Sequence, residues 1–216
     1  MTLDKLTIAL PKGRILKECS KLFKRAGIDL SCMDVEDRRL IFTDEAAGLS
    51  FMIVRAQDVP TYVEYGAADL GIAGSDVLEE QGLDMYEPLD LKIGKCRMVV
   101  AEPRELREKD NPNKWTQVRV ATKYTNITTR FFAAKGIQAE LIKLYGSIEI
   151  APILGLSERI VDLVETGETM KQNGLVEVET IMDVSSRLVC NRASLKTKPV
   201  RVKEFVEKLR QTVEEI

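Results

Sequence analysis

The sequence predicts an α/β protein built as two similar lobes. Two observations carry that prediction. Short apolar runs alternate with segments whose apolar residues recur at helical spacing, the pattern of layered sheets and helices. One stretch is also echoed later in the chain, a thin identity that chance similarity between two αβα units explains as well as two similar lobes do. Asp69-Leu70-Gly71-Ile72-Ala73-Gly74 precedes a helix ending at Gly82-Leu83, and Asp162-Leu163-Val164-Glu165-Thr166-Gly167 precedes one ending at Gly174-Leu175. Pro60 and Pro152 occupy comparable places in the helices before those stretches. Two lobes imply a cleft, and clefts between lobes are common ligand sites.

The elements follow in order. Leu6 to Leu10 is an apolar strand broken by Pro11-Lys12-Gly13-Arg14. Ile15, Leu16, Cys19, Leu22, Phe23 and Ala26 make one helix face that stops at Gly27. Arg39–Thr43 and Phe51–Val54 read as strands of a hairpin, Val59–Tyr65 as a helix, and Asp69–Ala73 as a strand before a helix capped by Ser75. Leu89–Ile93 and Arg97–Ala101 are extended, and Pro103–Thr116 is a polar loop. Strand Val118–Ala121, helix Ile127–Ala134, strand Ala139–Leu144, helix Ile148–Leu154 and strand Ile160–Val164 come next. After a short helix, Leu175–Met182 and Arg187–Asn191 are strands, and Pro199 opens a last helix with Val202, Phe205, Val206, Leu209 and Val213 on one face.

Composition removes several classes of function. The chain has 216 residues, 44% hydrophobic and 31% charged, with a net charge of −2. It can bury a substantial core and has no bulk attraction for nucleic acid or acidic membranes. No apolar run approaches a membrane span, and the N-terminus lacks the features of a secretory signal, so a cytoplasmic protein is expected. Four cysteines show no metal-ligand spacing and read as reduced thiols, Cys19 as core filler. Histidine is absent. That excludes His-based triads, HExxH zinc sites and the usual general base near neutral pH. Chemistry must come from carboxylates, Lys, Arg, hydroxyls, the backbone or a bound cation.

The octet Asp162-Leu163-Val164-Glu165-Thr166-Gly167-Glu168-Thr169 holds the parts of a phosphate cradle. A buried strand runs into a turn and a helix start, with a glycine for close approach, two hydroxyls and unpaired N–H groups. Read alone, it fits an ordinary strand–helix turn with a Thr cap equally well. Pro11-Lys12-Gly13-Arg14 places two cations at the C-terminal end of a strand, the edge where open α/β sheets bind ligands. Arg38, Arg39 and Arg55 add positive charge near strand ends, which suits a polyanion. Thr125 or Asn126 reads as the cap of the helix after Tyr124.

Glu149, Gly155, Ser157, Ile160, Asp162, Leu163, Thr166, Gly167, Thr169 and Met170 stand in an ordered pattern that resembles ATP phosphoribosyltransferases, the first enzymes of histidine biosynthesis. Ala9–Arg14, Arg55–Pro60, Gly71–Asp76, Lys143–Ser147 and Asp183–Arg187 extend the resemblance over nearly the whole chain. The length looks like the family's short form, without the C-terminal histidine-binding regulatory domain of the long form. The resemblance implies a two-lobed fold like that of type II periplasmic binding proteins, each lobe a mixed sheet flanked by helices, with the active site in the cleft. Residues 1–94 and 182–216 would form the first lobe, and 95–181 the second, carrying the phosphate loop.

The implied reaction joins N1 of ATP to C1 of phosphoribosyl pyrophosphate (PRPP), with inversion at C1 and release of pyrophosphate. Adenine N1 is unprotonated at neutral pH, so no strong base is needed, and the lack of histidine is no obstacle. By the same resemblance Glu165, Thr166, Gly167, Glu168 and Thr169 hold the PRPP 5-phosphate, and Asp162 and Glu149 face the ribose hydroxyls. Arg14 and Arg38, supported by Lys12, act on the pyrophosphate. Arg39 is the alternative to Arg38, since strand alternation sends only one of them inward. Arg55, Asp76 and Tyr124 are expected on the ATP side, and Ser75 stands where some relatives carry Lys. Mg2+ is expected through the substrate rather than a protein cage. The implied partners are a second copy of the chain and a regulatory subunit resembling histidyl-tRNA synthetase, four copies of each, with no nucleic acid or membrane. Two rivals remain open: a two-lobed solute-binding module without catalysis, and a type I phosphoribosyltransferase.

Overall fold

The computed structural model describes residues 5–33, 39–109 and 111–215. Its strands are β1 Leu6–Pro11, β2 Ile41–Asp44, β3 Leu49–Val54, β4 Leu70–Gly74, β5 Tyr86–Asp90, β6 Cys96–Pro103, β7 Gln117–Thr122, β8 Gln138–Lys143, β9 Arg159–Val164, β10 Leu175–Val184 and β11 Ser186–Cys190. Its α-helices are α1 Arg14–Arg25, α2 Val59–Glu64, α3 Ser75–Gln81, α4 Arg104–Arg107, α5 Thr125–Ala134, α6 Glu168–Gln172, α7 Arg192–Thr197 and α8 Pro199–Glu214. The chain divides into two compact units. The first is Met1–Leu78, Gly82–Gly94 and Ser185–Ile216; the second is Glu79–Gln81 and Lys95–Val184.

In the first unit the sheet order is β2-β3-β1-β4-β11-β5. β1 is parallel to β3 and β4, while β11 runs antiparallel to β4. β1 is apolar on both faces because both are covered, as parallel strands require. Leu6, Ile8 and Leu10 pack with Phe23, Phe51, Phe205 and Leu209 on one face. Phe23 meets Phe205 edge-on at 5.7 Å. Ala9 packs with Val59, Val63 and Val189 on the other. Pro199 is the first residue of α8, where its missing N–H costs nothing.

In the second unit the order is β10-β6-β9-β7-β8. β9, β7 and β8 are parallel, and β6 is antiparallel to β9. Side chains of β6 alternate between the two faces. Met98 and Val100 join Val118, Val120 and Phe132, whereas Val99 and Ala101 join Ile160, Val164 and Met170. The two units repeat one arrangement. The orders β3-β1-β4-β11 and β8-β7-β9-β6 each hold three parallel strands beside one antiparallel strand. This is the structural basis of the sequence echo.

Several local expectations differ from the structure; the expected loop Pro103–Thr116 holds α4 and a 3-10 turn at Pro112–Lys114. The expected helix Ile148–Leu154 is a single 3-10 turn, Ile148–Ile150, followed by further turns. Pro152 has no N–H to donate to the carbonyl four residues back, so an α-helix cannot propagate there. Ser75 is the first helical residue of α3 rather than its cap, and its N–H goes to the Ser185 carbonyl. Neither Thr125 nor Asn126 caps α5; Tyr124 holds that position without a side-chain bond. The cap comes from Glu80 instead, whose carboxylate accepts the N–H groups of Asn126 at 2.9 Å and Ile127 at 3.0 Å.

Candidate active site

Strand direction collects the candidate residues at sheet edges. In the first unit, β1, β3 and β4 end at the same edge. The Lys12 N–H donates to the Val54 carbonyl and ties the two chain exits together. Lys12, Gly13 and Arg14 are exposed there, and Arg55 is exposed just beyond β3. Asp76 lies in the first turn of α3 and is only 6% exposed. At this position a carboxylate favours the helix dipole. The start of β11 reaches the same edge, where Ser185 Oγ donates to Asp90 Oδ1 at 2.8 Å.

Arg38 lies outside the described residues. Its neighbour Arg39 has its guanidinium 5.5 Å from the centre of the Phe42 ring, within cation–π range.

In the second unit, β7, β8 and β9 end at one edge. β9 runs into residues 165–167 and then α6, as the octet predicts. Gly167 has φ +80, a region L side chains rarely adopt. Its carbonyl accepts the Lys171 N–H, and Met170 anchors the short helix in the core beside Val164 and Leu175. Thr166 Oγ1 accepts the Glu168 N–H at 3.4 Å. Glu165, Thr166, Glu168 and Thr169 are exposed, so hydroxyls and backbone face solvent while the apolar anchor faces inward. Asp162, two residues inside the strand, is half-buried; its Oδ1 accepts the Leu163 N–H at 2.8 Å.

Glu149 sits in the 3-10 turn, which packs against β9, and is half-buried. Tyr124, at the end of β7, is 3% exposed, with Lys123 Nζ 4.7 Å from its ring centre. Its N–H is held by Thr122 Oγ1, which itself donates to the Val161 carbonyl of β9. The topology therefore brings Lys12, Arg14, Arg55 and Asp76 to one edge in the first unit. It brings Tyr124, Glu149, Asp162 and residues 165–169 to one edge in the second. Asp76 and Tyr124 are the two whose side chains are almost wholly buried.

Sequence reasoning missed four supporting residues. Glu18 stands four residues after Arg14, with Oε1 3.8 Å from Arg14 Nε; that spacing was a visible signal. Glu80 at the start of α5, and Arg97 with Glu177 beside Gly167, had no local signal. Burial pushes the Cys19 thiol up to about 12, so it is no nucleophile. Among the described residues no three His, Cys, Asp or Glu side chains gather as a metal site. Among them, too, no helix is long and apolar enough to cross a membrane.

A family model described as HisG: ATP phosphoribosyltransferase matches residues 55–211. The chain belongs to the ATP phosphoribosyltransferase family. It is 60% identical over 210 residues to the ATP phosphoribosyltransferase of Citrifermentans bemidjiense, covering 97% of this chain and 99% of that one. It is equally identical, with the same coverage, to ATP phosphoribosyltransferase 2 of Geobacter sulfurreducens. Among solved structures, the ATP phosphoribosyl transferase (HisG:HisZ) complex from Thermotoga maritima contains a chain 34% identical, with TM-score 0.82. The match covers 98% of this chain and 100% of that one. The sulphonate-binding protein SsuA from Escherichia coli matches at TM-score 0.59 with 13% identity, covering 97% of this chain and 72% of that one, a likeness of fold alone. The α/β fold of two lobes is thus shared between ATP phosphoribosyltransferases and periplasmic binding proteins.

Proposed function

We propose that the two sheet edges divide the work of phosphoribosyl transfer from PRPP to N1 of ATP. Membership in the ATP phosphoribosyltransferase family makes the chain an enzyme of the first step of histidine biosynthesis. The observation that carries the reading is the family likeness along nearly the full length, and the loop at Glu165–Thr169 supports it. In the second unit the exposed loop takes the 5-phosphate on backbone N–H groups and the hydroxyls of Thr166 and Thr169. Asp162 and Glu149 accept from the ribose hydroxyls.

In the first unit Arg14, Lys12 and Arg38 take the pyrophosphate. Arg39, with its guanidinium at the Phe42 ring, favours Arg38 for that role. As the bond at C1 lengthens, negative charge builds on the leaving group. Fixed cations that meet it there stabilise the transition state more than the ground state. Arg55 offers exposed charge for the phosphates of ATP, and Asp76 and Tyr124 shape that side.

The donors at both edges are cations, N–H groups, hydroxyls and separated carboxylates, which suit phosphates and sugar. Mg2+ therefore fits as an ion carried by PRPP, where it supplies Lewis-acid stabilisation of the leaving pyrophosphate. The Thermotoga maritima relative supports a HisZ-like regulatory chain as partner. We infer a homodimer of this chain within a complex of four copies of each, acting in the cytoplasm.

The test mixes the purified chain with ATP, PRPP and Mg2+, with and without a regulatory chain. Ultraviolet absorbance of the product and pyrophosphate release are followed. Both signals should appear together; anion binding without turnover in either condition would overturn the reading.

A further inference from the structure

We propose that Glu18 is a positioning residue for Arg14, tying that guanidinium to the backbone at Gly94. The proposal rests on the role given to Arg14 above. Arg14 is the first residue of α1, where the helix dipole is positive, and the first turn carries no acid. A cation there is locally unfavourable. Rules of local stability tend to be broken where a residue serves function. Glu18 is one turn on, on the same face, and its two carboxylate oxygens are divided. Oε1 lies 3.8 Å from Arg14 Nε. Oε2 accepts the Gly94 N–H at 2.7 Å, across 76 residues of sequence.

Gly94 is a firm anchor. It is the last residue of the first unit before the chain crosses into the second. Its φ is +62, and a Cβ there would come within 2.5 Å of Ile15 Cδ1 and 3.1 Å of Ser186 Oγ. The backbone thus presses directly on the first turn of α1. The outgoing and returning segments are also paired: Ser186 donates to the Ile93 carbonyl, and Leu91 donates to the Ser186 carbonyl, both at 2.9 Å.

A surface ion pair normally gains little, because two long side chains must be ordered to make it. Here a backbone N–H has already ordered the acid. The carboxylate can then restrict Arg14 at low cost. A guanidinium held in place needs less reorganisation when charge develops on the leaving group. The effect belongs in kcat rather than in substrate affinity.

The test is a double-mutant cycle on the full chain, with transfer kinetics and Tm measured for every variant. Glu18→Gln keeps an oxygen for the Gly94 N–H and removes the charge beside Arg14. It is expected to lower kcat about fivefold, with KM for PRPP within about twofold and Tm unchanged. In the Arg14→Ala background the same change should cost nothing further, because it acts through Arg14. Glu18→Ala should show the same kcat loss and, in addition, a lower Tm, since the Gly94 N–H loses its acceptor. Parental kcat in Glu18→Gln while Arg14→Ala is slow overturns the positioning role and leaves that of Arg14 standing. Equal losses in both backgrounds overturn it too. Parental kcat in Arg14→Ala overturns the reading of Arg14 itself.

Discussion

Arg97 and Glu177 form a two-pronged ion pair, with Arg97 Nη2 2.6 Å from Glu177 Oε1 and Nε 3.1 Å from Oε2. The same Oε1 is the nearest atom that a Cβ on Gly167 would meet, at 3.4 Å. The fork therefore lies against the candidate phosphate loop at Gly167. Glu177→Ala removes the support and leaves the exposed hydroxyls untouched. It should weaken PRPP binding about fivefold, in line with an exposed pair of roughly 1 kcal/mol. Titration calorimetry checks this. Unchanged PRPP affinity would show that the fork supports the sheet alone.

Gly167→Val should abolish PRPP binding while the fold persists. The φ of +80 costs an L residue about 1–2 kcal/mol, and a branched Cβ raises that further. The added methyls would also crowd Glu177, whose Oε1 stands 3.4 Å from a Cβ at this position. Far-UV circular dichroism should match the parent, with Tm lower by a few degrees. Retained PRPP binding would place the 5-phosphate elsewhere.

Glu80→Ala should destabilise the chain by about 1–2 kcal/mol, the usual size of a lost helix cap. Its carboxylate serves two N–H groups of α5 and also accepts from Thr125 Oγ1 at 3.3 Å. Urea unfolding measures the loss. Hydrogen exchange should accelerate first at the amides of Asn126 and Ile127. Uniform acceleration across the unit would indicate that the cap is not local.

The Cys19 thiol carries a pH dependence. Burial, and secondarily the charge of Glu18, push it from an ordinary 9.0 up to about 12. The unfolded thiol ionises above about pH 9 while the native one stays neutral. Native chains then hold more protons than unfolded ones, and stability falls as pH rises from 9 towards 12. The slope from this group reaches about 1.4 kcal/mol per pH unit at most. Urea unfolding between pH 8 and 10.5 should fall more steeply for the parent than for Cys19→Ala. Parallel curves would contradict the burial argument.

Much of the candidate site's local structure was legible in the sequence because its parts are contiguous. A strand, a turn with Gly167 and a helix start are contiguous, and their geometry follows from hydrogen bonding within ten residues. The strand before Lys12–Arg14 was legible for the same reason. The error at Ile148–Leu154 was local too: apolar spacing suggested a helix that Pro152 forbids. The cap of α5 was not legible, since hydroxyls at Thr125 and Asn126 looked sufficient, yet a carboxylate 46 residues away occupies the place.

By itself, the sequence determined the alternation of elements, the strand–turn–helix of the octet and the family pattern, because each is written in neighbouring residues. Tertiary structure alone decided which candidates share an edge. Lys12, Arg55 and Asp76 belong to separate strand exits, and only the parallel pairing of β1 with β3 and β4 brings those exits together. It also decided what supports them. Glu18 with Gly94, and Arg97 with Glu177, join residues 76 and 80 positions apart. No local pattern encodes such pairs, because the free energy that orders them comes from packing of the whole unit.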